Sequence, residues 1–311
     1  MSTGTETIDA TGVSRGGPSR AALGFAFLST WIIWGSTYLA IRFAVETIPP
    51  FVTAGVRHGI AGSLLFGYSW YKGFRPTLRH WGGALIIGVF YFLGGHGLLH
   101  WAERVVSSGM AAVLMATEPM LISGMLIFTG KERFSLWTLG GMVCGFGGVA
   151  FLVGGQALSE HSQVIGIAAC LASSISWSIG VVYSPRAGLP TDPFASAAMT
   201  MLAGSVLLLI TAGLTGEFAP SQLNHITSKS VLGLAFLIIF GSVVAFSAYV
   251  WLLDHVSPTM VSTHTFVNPV VAVLLGWALA GEALSLRLGV AMVAILGSIA
   301  FIRLGTRTAP H

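Results

Sequence analysis

Long apolar runs alternate with short polar connections from the twenty-first residue of the chain almost to its end. Each run is about 20 residues long, the length that a helix needs to cross the hydrocarbon core of a bilayer. The pattern therefore predicts an all-α integral membrane protein with ten transmembrane helices. The predicted spans are residues 21–45, 51–70, 81–101, 108–129, 137–155, 164–184, 193–215, 231–253, 258–280 and 287–304.

Two stretches 150 positions apart share one arrangement. Residues 257–282 contain Asn268-Pro269 halfway along an apolar run, and residues 107–132 contain Glu118-Pro119 at the same place. Such self-similarity indicates an internal repeat. Each unit would hold five spans, and an odd number makes the second copy enter the membrane from the opposite side. The sequence thus predicts two inverted five-helix repeats related by a pseudo-two-fold axis in the membrane plane.

The domain boundaries follow from this repeat. The first repeat is predicted at residues 21–155 and the second at residues 156–305. Residues 1–20, rich in Ser, Thr and Gly, are predicted to form a disordered cytoplasmic tail, and residues 306–311 a second cytoplasmic tail.

Composition and charge support a membrane protein rather than a nucleic-acid-binding one. Only 8% of the 311 residues are charged, 54% are hydrophobic, and the mean hydropathy is +0.82. The net charge of +4 comes from basic residues scattered at the ends of apolar runs, which argues against a nucleic-acid partner. Ten of the 15 Lys and Arg residues fall on the side of the N-terminus. The positive-inside bias therefore predicts that both termini are cytoplasmic.

Two polar residues lie beside the two prolines, near the predicted bilayer midplane. Glu118 precedes Pro119, and its repeat partner Asn268 precedes Pro269. An acidic group at that depth costs about 2.5 to 3.5 kcal/mol, and each proline removes a backbone donor and is predicted to kink its helix. We expect Glu118 and Asn268 to line a central cavity and name Glu118 as a candidate proton carrier. The alternative is that Glu118 is structural and bonds a neighbouring helix.

The third span carries His96, His100 and Glu103 at i, i+4 and i+7, on one face of a helix. This stripe predicts a vestibule that opens outwards, and His264 in the ninth span adds a further imidazole. The alternative is separate histidines that are each hydrogen-bonded. His-x-x-x-His spacing can bind zinc, but no HExxH pattern or nearby Cys completes a site. No metal and no cofactor are predicted.

Aromatic residues form a stripe in the first span, with Trp31, Trp34 and Tyr38 at i, i+3 and i+7. Trp177 is the repeat partner of Trp34, at an offset of 143. Two tryptophans at equivalent depths could line a pocket for a flat or apolar solute. Core packing or an interfacial belt is the alternative.

Charged residues near the outer ends of the first three spans predict an outer gate. Arg42 and Glu46 lie one helical turn apart, Arg57 follows in the second span, and Glu103 ends the stripe of the third. Snorkelling of these side chains to the headgroups is the alternative.

Four stretches carry a family resemblance: WGSTYLAIRFAVETIPPF, SSGMAAVLMATEP, GSVVAFSAYVWLLDHVSP and VNPVVAVLLGWALAGEALS. Together they resemble the EamA-type members of the drug/metabolite transporter superfamily, over residues 23–304. The resemblance implies ten helices in two inverted repeats, a bacterial inner-membrane location and export of small metabolites or amino acids. It also implies a central cavity, which His96, Glu118, Trp177 and Asn268 would border.

The leading hypothesis is a permease that exports small organic metabolites, amino acids or amphipathic drug-like compounds by alternating access, with proton coupling through Glu118. Its partners would be the solute, the lipid bilayer and protons. An intramembrane His-dependent enzyme or metal-binding membrane protein is the alternative, although nucleophile, base and orienting group do not share one register. A sensor or scaffold is the third, but it leaves Glu118 unexplained. The sequence does not set the oligomeric state.

Overall fold

The computed structural model describes residues 18–132, 135–154, 161–256, 258–261 and 263–308. For residues 258, 259, 303 and 305–308 it describes the backbone only. Most of the predicted N-terminal tail and residues 309–311 lie outside the described residues. The last helix continues to Thr308, into the range predicted as the C-terminal tail.

Every regular element among the described residues is helical, and ten long helices follow one another along the chain. They are α1 (Arg20–Ala44), α2 (Pro50–Tyr71), α3 (Leu78–Ala102), α4 (Ser108–Phe128), α5 (Leu136–Val153), α6 (His161–Arg186), α7 (Pro193–Leu214), α8 (Ser228–His255), α9 (Pro258–Val261 and His264–Ala280) and α10 (Leu286–Thr308). A short helical turn, Pro220–Leu223, lies between α7 and α8.

Seven of the described helices, α1 and α3 to α8, are long and apolar enough to cross a membrane. In α9 and α10 the apolar segments His264–Ala280 and Leu286–Ile302 are shorter. Helix α2 has 22 residues and carries the polar Arg57 and His58 in its first half. The prediction of an all-helical protein with several membrane-crossing helices is confirmed. The number of ten crossings stays a prediction.

The packing between the two halves follows a regular pattern. Helix α2 packs on α7, α4 on α9, and α5 on α10, so helices at equivalent places in the predicted repeats contact each other. Helix α1 packs on α8 and α9, and its counterpart α6 packs on α3 and α4. Each of these contacts therefore has a counterpart when the helix numbers are shifted by five.

Small residues allow the closest of these approaches, as in membrane helices generally. Gly55 and Gly59 of α2 face side chains of α7, where an added Cβ would lie 2.7 Å from Leu209 Cδ2 and from Ser205 Oγ respectively. Gly141 of α5 faces Ile302 of α10 in the same way, at 2.8 Å. The glycines therefore serve packing, as their four-residue spacing indicates.

Several helices are irregular near their middles. Residues Ser29–Ile33 of α1, Val89–Gly97 of α3 and Leu237–Val244 of α8 are π-helical. Helix α4 breaks into Ser108–Met115 and Glu118–Phe128, directly before Pro119. Helix α9 is interrupted between Val261 and His264, and Pro269 lies inside its continuous second part. The interruption of α9 thus comes before Pro269 rather than at it.

Candidate functional site

The helix bundle has two ends with different packing. The connections 45–49, 103–107 and 281–285 lie at one end, called the Glu103 end, and the connections 72–77, 129–132 and 187–192 at the other, called the Lys131 end. Residues 111–115 of α4, near the Glu103 end, are all buried. Of their described repeat counterparts in α9, residues 261, 263, 264 and 265, only Val261 is buried. The bundle is therefore closed at the Glu103 end and looser at the Lys131 end.

A carboxylate holds the closed end together. Glu282, just after α9, accepts hydrogen bonds from the backbone nitrogens of Ser108 and Gly109 at 2.8 and 3.1 Å and from Ser108 Oγ at 2.9 Å. These groups form the first turn of α4, where backbone N–H groups lack helical partners and the helix dipole favours an anion. Residues 174 positions apart are thereby joined across the two halves. We call this contact the Glu282 clasp.

The other charged residues at this end pair differently from the predicted gate. Arg42 Nη1 donates to the backbone oxygens of Glu103 and Val106, at 2.6 and 3.2 Å. Glu46 forms an ion pair with Lys229 at 2.7 Å rather than with Arg42, one helical turn away, and the outer gate stays a prediction. Helix α8 brings Lys229 to Glu46, a contact that local spacing in α1 could not indicate.

In this conformation the polar stripe of α3 is covered rather than open to water, and the outward vestibule stays a prediction. His100 and Glu103 are both completely buried among α1, α3 and the neighbouring helices, because the Glu103 end is closed over them. His96, one turn nearer the middle of the bundle, is half-buried and is the member of the stripe that joins the aromatic residues.

A first aromatic cluster surrounds Trp177 of α6. Its ring stacks on both Tyr91 and His96 of α3, with ring centroids 4.3 and 5.3 Å away. His96 Nδ1 and His58 Nε2 of α2 share a hydrogen bond of 2.7 Å. Tyr91 and His96 are five residues apart, and the π-helical segment of α3 places them on one side.

A second cluster surrounds Trp34 of α1, the repeat partner of Trp177. The indole Nε1 donates to the backbone oxygen of Gly241 in α8 at 3.0 Å. The ring centroids of Tyr249 and His264 lie 5.2 and 5.0 Å from that of Trp34. The two tryptophans at equivalent positions thus each contact a tyrosine and a histidine.

Arg57 and His58 of α2 connect the two clusters. His58 contacts His96 in the first cluster, while a Cβ on Gly241, in the second, would lie 3.4 Å from Arg57 Nη2. Arg57 is 5% exposed, and its Nε donates to Ser242 Oγ at 3.0 Å. Among the described residues its terminal nitrogens have no hydrogen-bond acceptor, so they remain available.

The polar pair beside the prolines lies next to these clusters: Ser178 Oγ, one residue after Trp177, donates to the backbone oxygen of Glu118 at 3.5 Å. The Glu118 side chain is half-buried and has no hydrogen-bond partner among the described residues. With its amide oriented to face acceptors, Asn268 donates to the backbone oxygens of His264 and Trp31, both at 3.1 Å. Tyr38 of α1 lies within electrostatic range of both Glu103 and Glu118. Asn268 therefore fastens α9 to α1, and Glu118 stays free for another partner.

Comparison with known proteins identifies this architecture. The sequence matches the EamA-like transporter family twice, over residues 22–154 and 164–304. The chain belongs to the EamA-like transporter family. It is 38% identical over 284 residues to the uncharacterized inner membrane transporter YedA of Escherichia coli K12, covering 90% of each chain. It is also 26% identical over 253 residues to the uncharacterized transporter YoaV of Bacillus subtilis, covering 80% and 86% of the two chains.

A solved structure described as "Crystal structure of protein" shares the fold. It aligns with a TM-score of 0.63 at 23% identity, over 94% of this chain and all of the other. The family match and the similarity to the inner membrane transporter YedA make this chain a multi-pass transporter of the inner membrane, as its sequence predicted.

Metal centres and grooves are the other kinds of site that this EamA-like transporter could carry. In the part of the chain that the structure describes, no three His, Cys, Asp or Glu side chains are grouped to hold a metal ion. One apolar groove of about 650 Å³ lies between α4, α5 and α6, and another of about 780 Å³ between α2, α3 and α7. Neither is lined by Trp34, Trp177 or His96. The candidate site is instead formed by the two aromatic clusters with Arg57, His58 and Glu118, because both repeats contribute equivalent residues there.

Proposed function

We propose that this transporter exports small organic metabolites by alternating access around a site between the Trp34 and Trp177 clusters. One observation carries the proposal. Two tryptophans at equivalent repeat positions both reach the pair Arg57 and His58, Trp34 through Gly241 and Trp177 through His96, at a depth where α1, α3, α4, α8 and α9 are all irregular. Irregular backbone at membrane depth is tolerated where it is buried in protein or lines a cavity, and in transporters it forms substrate sites.

The proposed architecture is ten crossings in two inverted repeats. The packing of equivalent helices against each other, α2 on α7, α4 on α9 and α5 on α10, supports it. Even the shorter segments of α9 and α10 pack against long apolar helices of the first half.

The distribution of basic residues supports a cytoplasmic Lys131 end and, with it, cytoplasmic termini. Among the described residues, that end carries Arg20, Lys72, Arg75, Arg79, Lys131 and Arg186. The Glu103 end carries Arg42, Arg104, Lys229 and Arg287, of which Arg42 is committed to backbone oxygens. In this orientation the structure is closed towards the periplasm and looser towards the cytoplasm. A solute would enter from the cytoplasm, and rocking of the two repeats would open the Glu103 end for export.

The site favours a solute with an apolar or flat part and an ionic group. The rings of Trp34 and Trp177 would contact the apolar part. The terminal nitrogens of Arg57 can donate to a carboxylate, and Glu118 can accept from an amine. Amino acids and amphipathic compounds of similar size meet this description.

Purified transporter in proteoliposomes tests the proposal. Vesicles are loaded with one unlabelled amino acid or amphipathic cation at a time, and uptake of the same labelled compound by counterflow is measured. We expect counterflow above that of protein-free vesicles for at least one solute. No counterflow for any solute of either class would contradict the proposed substrate range.

A further inference from the structure

A second ionisable group, separate from Glu118, is buried at the closed end. Glu103 is 0% exposed, and neither of its carboxylate oxygens has a hydrogen-bond partner among the described residues. Buried polar side chains are almost always hydrogen-bonded, and a buried ionised carboxylate without a partner is especially unfavourable. The carboxyl group of Glu103 therefore requires an explanation other than packing.

The cations around Glu103 do not neutralise it by direct contact. Arg42 bonds the backbone oxygen of Glu103, not its carboxylate. Arg57 Nε donates to Ser242 Oγ. Among the described residues, Lys229 and Glu46 are the only pair close enough to form a salt bridge. Arg42 and Arg57 lie close enough to attract an ionised Glu103 electrostatically. The negative charge of Glu282 counters this attraction, because it repels that of Glu103.

Several titratable or charged groups lie near Glu103 on the helices packed around it. They are Tyr38 and Arg42 of α1, Arg57 of α2, His100 of α3, Cys170 of α6 and Glu282 after α9. His100 is informative because its Nδ1 donates to the backbone oxygen of His96 at 2.7 Å, which leaves Nε2 as a bare acceptor. That nitrogen is buried and without a partner, one turn from Glu103. An ionised carboxylate offers only acceptors, whereas a protonated one also offers an O–H donor.

We propose that Glu103 is a proton-binding site, which holds a proton while the Glu103 end is closed and releases it to water when that end opens. The inference rests on the proposed alternating access. On opening, the O–H bond of the carboxyl group breaks, water takes the proton, and the carboxylate is solvated. On closing, the group must first take up a proton, because the closed end provides no partner for the charge. Closure at this end is thereby linked to protonation.

Infrared spectroscopy of the purified, reconstituted protein tests the site without any knowledge of the solute. A protonated carboxyl group has a C=O stretching band that is separate from the bands of an ionised carboxylate. Glu103→Gln keeps the shape and a donor, so we expect it to fold and to lose one protonated-acid band at neutral pH. Glu46→Gln is the matched control, because Glu46 is 39% exposed and ion-paired with Lys229. It should lose only carboxylate intensity.

The coupling to opening is tested with Glu282→Gln, which weakens the clasp. In that variant the acid band of Glu103 should titrate with the bulk pH, while in the native protein it should persist over the same range. Loss of only carboxylate intensity in Glu103→Gln would overturn the proton site. An acid band that is equally insensitive to pH in Glu282→Gln would overturn the link to opening.

These outcomes are independent of the transport assay. Failure of every solute in counterflow with an intact acid band would count against the proposed function alone. Counterflow with no acid band at Glu103 would count against this inference alone. If Glu103→Gln proves unstable, Glu103→Asp serves instead, and its acid band should shift in frequency rather than disappear.

Discussion

Weakening the Glu282 clasp should open the Glu103 end. The variant Glu282→Gln keeps one amide oxygen, which can still accept from Ser108, but loses the negative charge and the second acceptor used by Gly109 N. A hydrogen bond to a charged group contributes about 1.5 to 3 kcal/mol, and an anion at a helix N-terminus about 0.3 to 1 kcal/mol. Glu282 is only half-buried, so solvent screening reduces these values.

We therefore expect the closed state to lose about 1 to 2 kcal/mol relative to the open state. This corresponds to a roughly five- to thirtyfold larger population of the open state. The assay is the rate at which a membrane-impermeant thiol reagent, added on the side of the Glu103 end, which is periplasmic in the proposed orientation, modifies Ala111→Cys. Ala111 is 0% exposed in α4, and the native Cys144 and Cys170 are first replaced by alanine. The modification rate should rise by the same factor as the open population.

Glu132→Gln is the matched control. Glu132 occupies the repeat position equivalent to Glu282, but it accepts a hydrogen bond from Ser123 of the preceding helix, α4, at 2.9 Å. Its removal should leave the modification rate of Ala111→Cys unchanged within about twofold, since a change of a few tenths of a kcal/mol has no larger effect. The reasoning is refuted if Glu282→Gln does not raise the rate, or if Glu132→Gln raises it equally.

Two further predictions concern stability. Gly83→Ala should lower the free energy of unfolding by about 1 to 3 kcal/mol, because its new Cβ would collide with the backbone oxygen of Ala187. Gly82→Ala, which meets nothing within 4 Å, should be neutral or slightly stabilising, and thermal unfolding in detergent followed by tryptophan fluorescence measures both. His58→Phe should cost about 1 to 3 kcal/mol by leaving His96 Nδ1 without its partner, while His58→Gln, which retains an acceptor and a donor, should cost less in the same measurement.

The sequence was sufficient to predict the features that depend on local composition. Apolar run length predicted the helices, and the four-residue spacing of Gly55 and Gly59 and of Gly141 and Gly145 is the pattern expected of close helix contacts. The family followed from motifs in the right order. These signals lie in the chain itself and do not require knowledge of which helices are neighbours.

The side-chain pairings could not be predicted in the same way. Tyr91 and His96 share a face only because α3 is π-helical between Val89 and Gly97, whereas ordinary helical spacing separates residues five apart. Glu46 meets Lys229 because α8 packs on α1, across 183 residues of sequence. The burial of His100 and Glu103 reflects which end of the bundle is closed. Conformational state is not encoded in hydrophobic periodicity.

The most direct test of the central claim is counterflow of a transported solute by single tryptophan variants in proteoliposomes. Trp34→Ala and Trp177→Ala remove the centres of the two clusters, while Trp137→Ala removes a ring that is 49% exposed and stacks on Phe301 between α5 and α10. If the solute passes between Trp34 and Trp177, the first two variants should each slow counterflow at least tenfold, the factor expected from about 1.4 kcal/mol of lost stacking, and the third should behave as the native protein. Native rates in both Trp34→Ala and Trp177→Ala would contradict the proposed site.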